Sequence, residues 1–225
     1  MRIFGLHRAK IATLLAVLVG VTFVAGSALA VPPGHLWGSD AAPVFMEVWV
    51  DYADSVNLEL DNTLHKILNN YGSRVQLVVK PFPVRGTEDP SYLAAEAGEC
   101  VAAQGEDMFW QFHQFMLQRR GDWTLDSIWQ WAQGFQAYNY RPQPAPRFSY
   151  QTFANCWKGR QMRDMVGFYV AQGYLKDVET TPTTLVISRT VFEVVRFEGA
   201  IDYASLSAAI DRFLGAKLPP YTSSK

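Results

Sequence analysis

The pattern of apolar and polar positions after residue 42 predicts a strand, a helix and a second strand. Residues 43–52 (PVFMEVWVDY) are apolar, β-branched or aromatic over a strand-sized length, which is typical of a buried central strand. In residues 54–72 the apolar side chains recur at steps of three and four, which predicts an amphipathic helix. Residues 74–80 (RVQLVVK) predict the second strand. Because the order is β-α-β, we expect the two strands to be parallel.

Residues 90–175 have a helical pattern throughout. Ser91 is expected to cap the first helix, and Gly105 is expected to separate it from the second. Residues 123–135 predict a further helix, and residues 150–175 predict one long helix.

Short elements are predicted to complete the chain after Pro182. Residues 183–187 and 192–197 predict two strands, and residues 188–190 between them have the length of a hairpin connection. Residues 204–214 predict a closing amphipathic helix.

Together these elements predict an α/β sandwich with a helical insertion. The two halves of the sandwich are residues 43–89 and 176–215. The insertion covers residues 90–175, and residues 216–225 form a tail.

The first 30 residues predict export. Three basic residues precede an uncharged run, residues 11–30, and this charge distribution keeps the N-terminus in the cytoplasm. Residues 28–30 (ALA) match a signal-peptidase pattern, yet the run is also long enough to cross a bilayer. A cleaved signal peptide and a retained membrane anchor therefore both remain open, and residues 31–42 are interpreted as a linker.

Composition excludes one class of partner. The formal net charge is -1, and it becomes about -4 once the three N-terminal basic residues are left out. Such a chain offers no general attraction for nucleic acid. The hydrophobic share of 49% is ample for a packed core.

Four stretches of the chain from Pro43 to Leu214 resemble the DsbA-like thioredoxin family, in which a thioredoxin fold carries a helical insertion. In chain order, they are residues 47–52 (EVWVDY), 80–84 (KPFPV), 94–110 (AAEA to MFW) and 180–183 (TTPT). The resemblance implies a thioredoxin-like fold, and the N-terminal charge pattern predicts that this fold lies on the extracytoplasmic side of the membrane.

The family's redox motif is degenerate in this sequence. Where the family has an acidic residue, an aromatic residue and then Cys-x-x-Cys, this chain has Asp54 and Asn57 at the cysteine positions, with Ser55 and Val56 between them. Thiol-disulfide exchange needs an attacking thiolate and a resolving thiol, and neither is present. The resemblance therefore implies a member with no catalytic residues and no cofactor. Asp54 or Ser55 is expected to cap the helix instead.

The resemblance also implies a cis peptide bond between Thr181 and Pro182. In the family this proline lies beside the redox motif and helps to form a surface for extended peptides. Whether this chain keeps the groove, or keeps the fold only as a scaffold, stays open.

Cys100 and Cys156 are interpreted as a structural disulfide, because an even pair in an exported chain is typical of one. Members of the family also often carry a corresponding bridge. The alternative is a relocated redox pair, which no Cys-x-x-Cys spacing or basic cluster favours.

The remaining candidates are weaker. The four histidines, His7, His35, His65 and His113, show no spacing typical of metal ligands, so no metal site is predicted and packing is the default. The loop before the last long helix is the most interface-like segment, because Tyr and Arg are enriched in binding hot spots. Its candidate contact residues are Tyr138, Tyr140, Arg141, Phe148 and Tyr150.

Three functions follow as hypotheses. The first is a non-catalytic binding or structural subunit of a membrane-associated complex, with protein partners and with contact to the membrane through residues 11–30 if they are retained. The second is a chaperone-like peptide binder that uses the groove near Pro182. The third is a thiol-disulfide oxidoreductase that works through Cys100 and Cys156.

Overall fold

A computed structural model describes residues 34–119, 124–138 and 148–215, apart from the side chains of residues 136–138. In chain order, the elements are β1 (His35–Gly38), β2 (Val44–Val50), α1 (Asn57–Tyr71), a 3₁₀ turn (Gly72–Arg74), β3 (Val75–Pro81), α2 (Pro90–Ala102), α3 (Glu106–Leu117), α4 (Leu125–Tyr138), α5 (Tyr150–Lys158), α6 (Arg163–Tyr174), β4 (Thr183–Ser188), β5 (Val194–Glu198) and α7 (Tyr203–Gly215).

The strands form one sheet in the order β1-β3-β2-β4-β5. Strands β2 and β3 are parallel, as the β-α-β pattern predicts, and the other neighbouring pairs are antiparallel. The predicted α/β sandwich with a helical insertion is confirmed.

Strand β1 corrects the interpretation of residues 31–42 as a linker. His35–Gly38 pairs antiparallel with β3, from His35 opposite Val79 to Gly38 opposite Gln76. The strand has only four residues (HLWG), too few for an alternating pattern to stand out. Gly38 has a φ of 106°, and a β-carbon there would lie 2.7 Å from the carbonyl oxygen of Val75, so this strand end requires glycine.

One face of the sheet packs against α1 and α7. Alternate residues of β2, such as Met46 and Val48, are fully buried there with Leu60 and Ile67 of α1 and Ile210 of α7. The period of two in the strand and the three- and four-residue steps in the helix place these side chains on facing surfaces. The main core lies at this interface.

The opposite face of β2 contains a buried charge. Glu47 is 1% exposed and is ion-paired with Lys80 of β3 and with Lys176, which follows α6. The Lys80 ammonium also donates to Gln172 Oε1 over 2.9 Å and lies 4.9 Å from the ring of Trp49. Burial lowers the pKa of Lys80, and its bond to Glu47 opposes that effect.

Helices α2 to α5 form a second core that is rich in aromatic rings. Phe112 packs edge-on to Phe135 with 5.1 Å between the ring centroids, and Trp129 meets Trp157 at 4.7 Å. A disulfide joins Cys100 of α2 to Cys156 of α5, with the two Cα atoms 5.8 Å apart. The predicted bridge therefore ties α5 to the start of the insertion.

The single helix predicted over residues 150–175 is wrong, because the chain forms α5 and α6 with a break between them. Gly159 ends α5, and Arg160 has a φ of 50°, which does not continue a right-handed helix. The Arg160 guanidinium donates to the buried carboxylate of Glu96, over 2.6 and 3.0 Å, and to the carbonyl oxygen of Thr87. These bonds stabilise the break.

The N-terminal cap of α2 is Asp89 and not Ser91. The Asp89 carboxylate accepts from the Ser91 backbone N–H over 2.9 Å, and Pro90 occupies the first helical position. Proline suits that position because its missing N–H would have no partner there. Gly105 separates α2 from α3, as predicted.

The β4–β5 connection is longer than the predicted residues 188–190. It covers residues 189–193, and Phe192 within it has a φ of 57°. The predicted signal or anchor segment and the tail after residue 215 lie outside the described residues. None of the helices within the described ranges combines the length and the apolar character that a bilayer span requires.

Candidate functional site

The degenerate motif lies in the turn that joins β2 to α1, which we call the α1 tip and define as Asp51 to Asn57. The turn is closed by two backbone hydrogen bonds, from Asp54 N to Asp51 O over 2.9 Å and from Asn57 N to Asp54 O over 3.3 Å. Strand β2 ends at Val50, opposite Pro81, which is the last residue of β3. The tip therefore projects from the carboxyl ends of two parallel central strands.

Asp54 is partly exposed, and both of its carboxylate oxygens have partners. Oδ1 accepts from the Val56 backbone N–H over 3.2 Å, and Oδ2 accepts from the Thr181 hydroxyl over 3.3 Å. Val56 is the residue at the N-terminal cap of α1 and makes no side-chain cap bond of its own. Asp54 thus places a negative charge beside the positive end of the helix dipole, close to its expected capping role.

Asn57 is buried and ties the first turn of α1 back to the tip. Its amide nitrogen donates to the carbonyl oxygens of Asp51 and, over 3.1 Å, of Asp54. Its amide oxygen is buried and meets no donor among the described residues. Asn57 therefore serves as an internal brace for the turn.

The Thr181–Pro182 peptide bond is cis and stands next to the α1 tip. Strand β4 begins directly after it, with Thr183 opposite Trp49 of β2, so the sheet register fixes this loop beside the end of β2. The contact from the Thr181 hydroxyl to Asp54 joins the two segments.

The second acidic residue of the tip, Asp51, is buried. Its Oδ1 accepts from the Ala53 backbone N–H over 2.9 Å. Burial raises the pKa of this carboxyl, and the hydrogen bonds that it accepts act in the opposite direction.

The α1 tip contains no sulfur. The sequence has two cysteines, and both form the disulfide between α2 and α5, where Cys100 is 1% exposed and Cys156 is 6% exposed. A carboxylate and an amide cannot form or resolve a mixed disulfide, because that chemistry needs a thiolate nucleophile. The tip can donate and accept hydrogen bonds, and it can attract cations.

A family model described as thioredoxin matches residues 30–212. The chain belongs to the thioredoxin family. None of the curated proteins matches it.

Solved structures of DsbA-like proteins share the fold of this thioredoxin-family chain. BdbD from Bacillus subtilis, in its oxidised form, is 19% identical with a TM-score of 0.65, over 81% of this chain and 94% of that one. The thiol-disulfide exchange protein alpha-DsbA2 from Wolbachia pipientis is 17% identical with a TM-score of 0.63, over 79% and 85%. A periplasmic thioredoxin-like protein from Salmonella enterica serovar Typhimurium is 22% identical with a TM-score of 0.59, over 80% and 90%. The predicted resemblance to DsbA-like proteins is confirmed at the level of the fold.

This thioredoxin-family chain also has a buried polar cluster that sequence spacing did not reveal. Its centre is His35 of β1, whose Nε2 lies 2.8 Å from Glu99 and whose Nδ1 lies 3.3 Å from Glu106. A neutral imidazole can donate from one nitrogen only, so the two carboxylates favour the doubly protonated ring. Burial lowers the pKa of His35, but the charge of Glu99 and the two hydrogen bonds outweigh it and raise the pKa from 6.5 to about 9.

His113 of α3 lies in the same cluster but has the opposite protonation. Its Nδ1 lies 2.9 Å from the Tyr52 hydroxyl, and its Nε2 lies 3.8 Å from a carboxylate oxygen of Asp61. Burial lowers the pKa of His113 to about 4, although the charge of Asp61 opposes the shift. The ring of Phe109 stacks on His35 at 3.3 Å and on His113 at 5.5 Å. The cluster thus links the α1 tip, through Tyr52, to the helical insertion.

His65 completes the cluster on the exposed side of α1. Its Nε2 lies 3.4 Å from Asp61, and this hydrogen bond raises the pKa of His65 against the effect of burial. Groups of three or more side chains able to hold a metal ion are not found in the described part of the chain.

The predicted interface loop lies mostly outside the described residues, including Tyr140 and Arg141. Tyr138 is the last residue of α4. Phe148 is 4% exposed and packs on Phe135 at 5.1 Å, so it belongs to the insertion core and is not available to a partner. Tyr150 opens α5, where its hydroxyl accepts from Gln133 over 3.1 Å.

Proposed function

We propose that this chain is a non-redox member of the DsbA-like thioredoxins that binds protein partners, as an accessory subunit of a membrane-associated complex on the extracytoplasmic side. The observation that carries the proposal is the location of sulfur. Both cysteines are held in a buried disulfide, while Asp54 and Asn57 occupy the tip from which a DsbA-like enzyme would attack.

Two features support the extracytoplasmic location. A structural disulfide persists in oxidising compartments, and the N-terminal pattern of basic residues followed by an uncharged run favours export. One structural neighbour is described as periplasmic. The intact mass of the native protein would distinguish a cleaved signal peptide from a retained anchor.

The redox part of the proposal is tested by insulin reduction and by disulfide formation in a reduced substrate. The wild-type chain is expected to leave both rates at the uncatalysed level. The matched control is the double variant Asp54→Cys/Asn57→Cys, which puts a thiol pair back at a helix N-terminus and is expected to gain measurable exchange. Wild-type activity that Cys100→Ser abolishes would overturn the proposal and establish the third hypothesis.

The binding part is tested by isolating the chain from membranes at its native level. We expect partners at fixed stoichiometry, and the double-cysteine variant should retain them. A monodisperse, partner-free monomer would contradict the proposal.

A second candidate function, binding of extended peptides, is favoured by the cis Thr181–Pro182 bond beside the tip. The loop holds the backbone at the start of β4 next to Asp54, where a peptide could lie against it. Titration of the chain with an unfolded, reduced polypeptide tests this function. Pro182→Ala should weaken binding if the groove is used, and an unchanged affinity would leave the fold as a scaffold only.

A further inference from the structure

A cleft of about 400 Å³ lies between strand β1 and helix α3, and it shares no lining residue with the α1 tip. Its volume falls in the range of small-molecule and side-chain sites. The side chains that matter here are Trp37, Glu106, Asp107, Trp110 and Gln114.

Two indole rings form the apolar part of the cleft. Trp37 is 40% exposed, and its ring centroid lies 5.1 Å from that of Trp110 at an angle of 72°. Trp110 is held in place because its Nε1 donates to the carbonyl oxygen of Leu36 over 3.3 Å. The result is a fixed aromatic corner in which part of Trp37 stays accessible, and the face of an indole attracts cations more strongly than that of a phenol or phenyl ring.

The polar part of the cleft is acidic. Glu106 is about half exposed, and one of its oxygens accepts from the Leu36 backbone N–H over 3.1 Å. Asp107 is exposed, and no donor among the described residues reaches its carboxylate. The described lining residues include neither lysine nor arginine.

Charges behind the cleft do not neutralise it. His35 supplies one positive charge, but it lies between the carboxylates of Glu99 and Glu106. His65 meets the Trp37 ring edge-on at 5.4 Å and, when protonated, adds a second positive charge, but it is paired with Asp61. With Asp107, four formal negative charges therefore face at most two positive charges. A cation that enters the cleft therefore gains both ring contact and net attraction.

The chemistry of the walls selects among cations. A quaternary ammonium would stack on the indoles but has no donor for the Asp107 carboxylate. A guanidinium stacks flat on an aromatic ring and presents five donors in one plane, so it satisfies both walls at once. We propose that this cleft binds an arginine side chain of a partner protein, stacked on Trp37 and paired with Asp107. The inference rests on the proposed protein-binding function and names the chemistry of one contact.

The test is an NMR titration of the full chain in a non-ionic detergent, followed through the indole N–H signal of Trp110. The probe is the blocked tripeptide Gly-Arg-Gly. The comparison probes are the same peptide with citrulline, which keeps the shape without the charge, the same peptide with lysine, and choline. We expect the arginine peptide to bind at least tenfold more tightly than the citrulline peptide, and more tightly than lysine or choline. Equal binding of citrulline, or tighter binding of lysine or choline, would overturn the inference.

Two variants locate the contact. Trp37→Ala should weaken binding of the arginine peptide by about tenfold and Asp107→Asn by about threefold, since one removes the ring and the other an exposed ion pair. The matched controls are Phe192→Ala, which removes an exposed ring elsewhere, and Asp126→Asn, which neutralises an exposed acid in the first turn of α4. Asp107→Asn changes no buried contact, so it remains informative if Trp37→Ala disturbs β1. An Asp107→Asn affinity equal to that of the wild type would overturn the assignment.

The two proposals fail separately. If the wild-type chain does not bind the arginine peptide but still copurifies with partners from membranes, only the arginine inference is contradicted. Redox activity in the insulin assay would remove the non-redox proposal and would leave the peptide titration unaffected.

Discussion

The α1 tip and the helical insertion differ in where sulfur is kept. At the tip, an aspartate and an asparagine occupy the positions of the family's reactive thiols. One carboxylate oxygen of Asp54 and the amide nitrogen of Asn57 bond to the backbone of the turn itself. In the insertion, two cysteines form a bridge that is almost inaccessible to solvent. Sulfur is reactive where it is accessible and its thiolate is stabilised, for instance by a helix N-terminus, whereas sulfur in a buried bridge contributes stability.

The two regions also differ in how they are stabilised. The tip depends on a few short-range hydrogen bonds, while the insertion depends on interlocked aromatic rings and the bridge. The cluster of His35 and His113 lies between them. Mutations should therefore have unequal effects on stability, largest at the bridge and smallest at the tip.

Removing the bridge should have the largest effect. The chain-entropy model gives about 4 kcal/mol for a loop of this length, so Cys100→Ala/Cys156→Ala should lower the free energy of unfolding by roughly that amount. The sequence separation of the two cysteines is 56. Urea unfolding with and without reductant measures the loss. If the wild type is equally stable in both conditions, the bridge has no stabilising role.

The polar cluster should give stability a maximum near pH 6.5. The pKa of His35 is raised from 6.5 to about 9, so its contribution is complete below pH 6.5 and is lost as the pH rises to about 9. The pKa of His113 is lowered from 6.5 to about 4, so stability is also lost as the pH falls from 6.5 to about 4. Each limb amounts to roughly 3 kcal/mol by linkage, as an order of magnitude. Denaturant midpoints between pH 4 and pH 10 measure both limbs.

Two variants separate the limbs. His35→Gln should flatten the alkaline limb and leave the acidic one, and His113→Gln should do the reverse. An unchanged profile in both variants would assign the pH dependence to other groups.

At the tip, Asn57→Ala should cost about 1 kcal/mol, since it removes one donor group from a buried turn and also removes an amide oxygen that lacks a partner. Thermal unfolding of the two proteins measures the difference. If Asn57→Ala lowers the free energy of unfolding as much as removal of the bridge does, the tip is as important for stability as the insertion, and the two regions do not differ in this respect.

The smallest effect is expected for the contact between Asp54 and Thr181. Because Asp54 is partly exposed, a double-mutant cycle with Asp54→Ala and Thr181→Val should give a coupling of about 0.5 kcal/mol or less. A coupling above about 2 kcal/mol would show that the cis-proline loop and the tip form one tightly joined unit.

The sequence predicts those strands and helices whose hydrophobic periodicity is visible within the element itself. The strand around Val48 and the helix that follows it have strong periodicity, and both are confirmed. Strand β1 was missed because its partner strand, not its own composition, specifies it. The break between α5 and α6 had a signal in Gly159, but the partners of Arg160 lie more than 60 residues away.

The residues of the candidate site also fall into those that a local sequence motif locates and those that only the tertiary fold brings together. Asp54 and Asn57 could be located because they replace residues in a short motif. The polar cluster could not be found, because His35 meets Glu99 across 64 residues and Tyr52 meets His113 across 61. Such contacts arise only from the tertiary fold.

The ion-paired Glu47 has a consequence for how the central strand finds its neighbours. A shift of β2 by one residue against β3 and β4 would turn Glu47 toward the apolar surfaces of α1 and α7 and would separate it from both lysines. An unpaired carboxylate in that layer is too costly to persist. We therefore expect misaligned pairings of this strand to be rejected during assembly, so that one acidic residue specifies the alignment of the whole sheet.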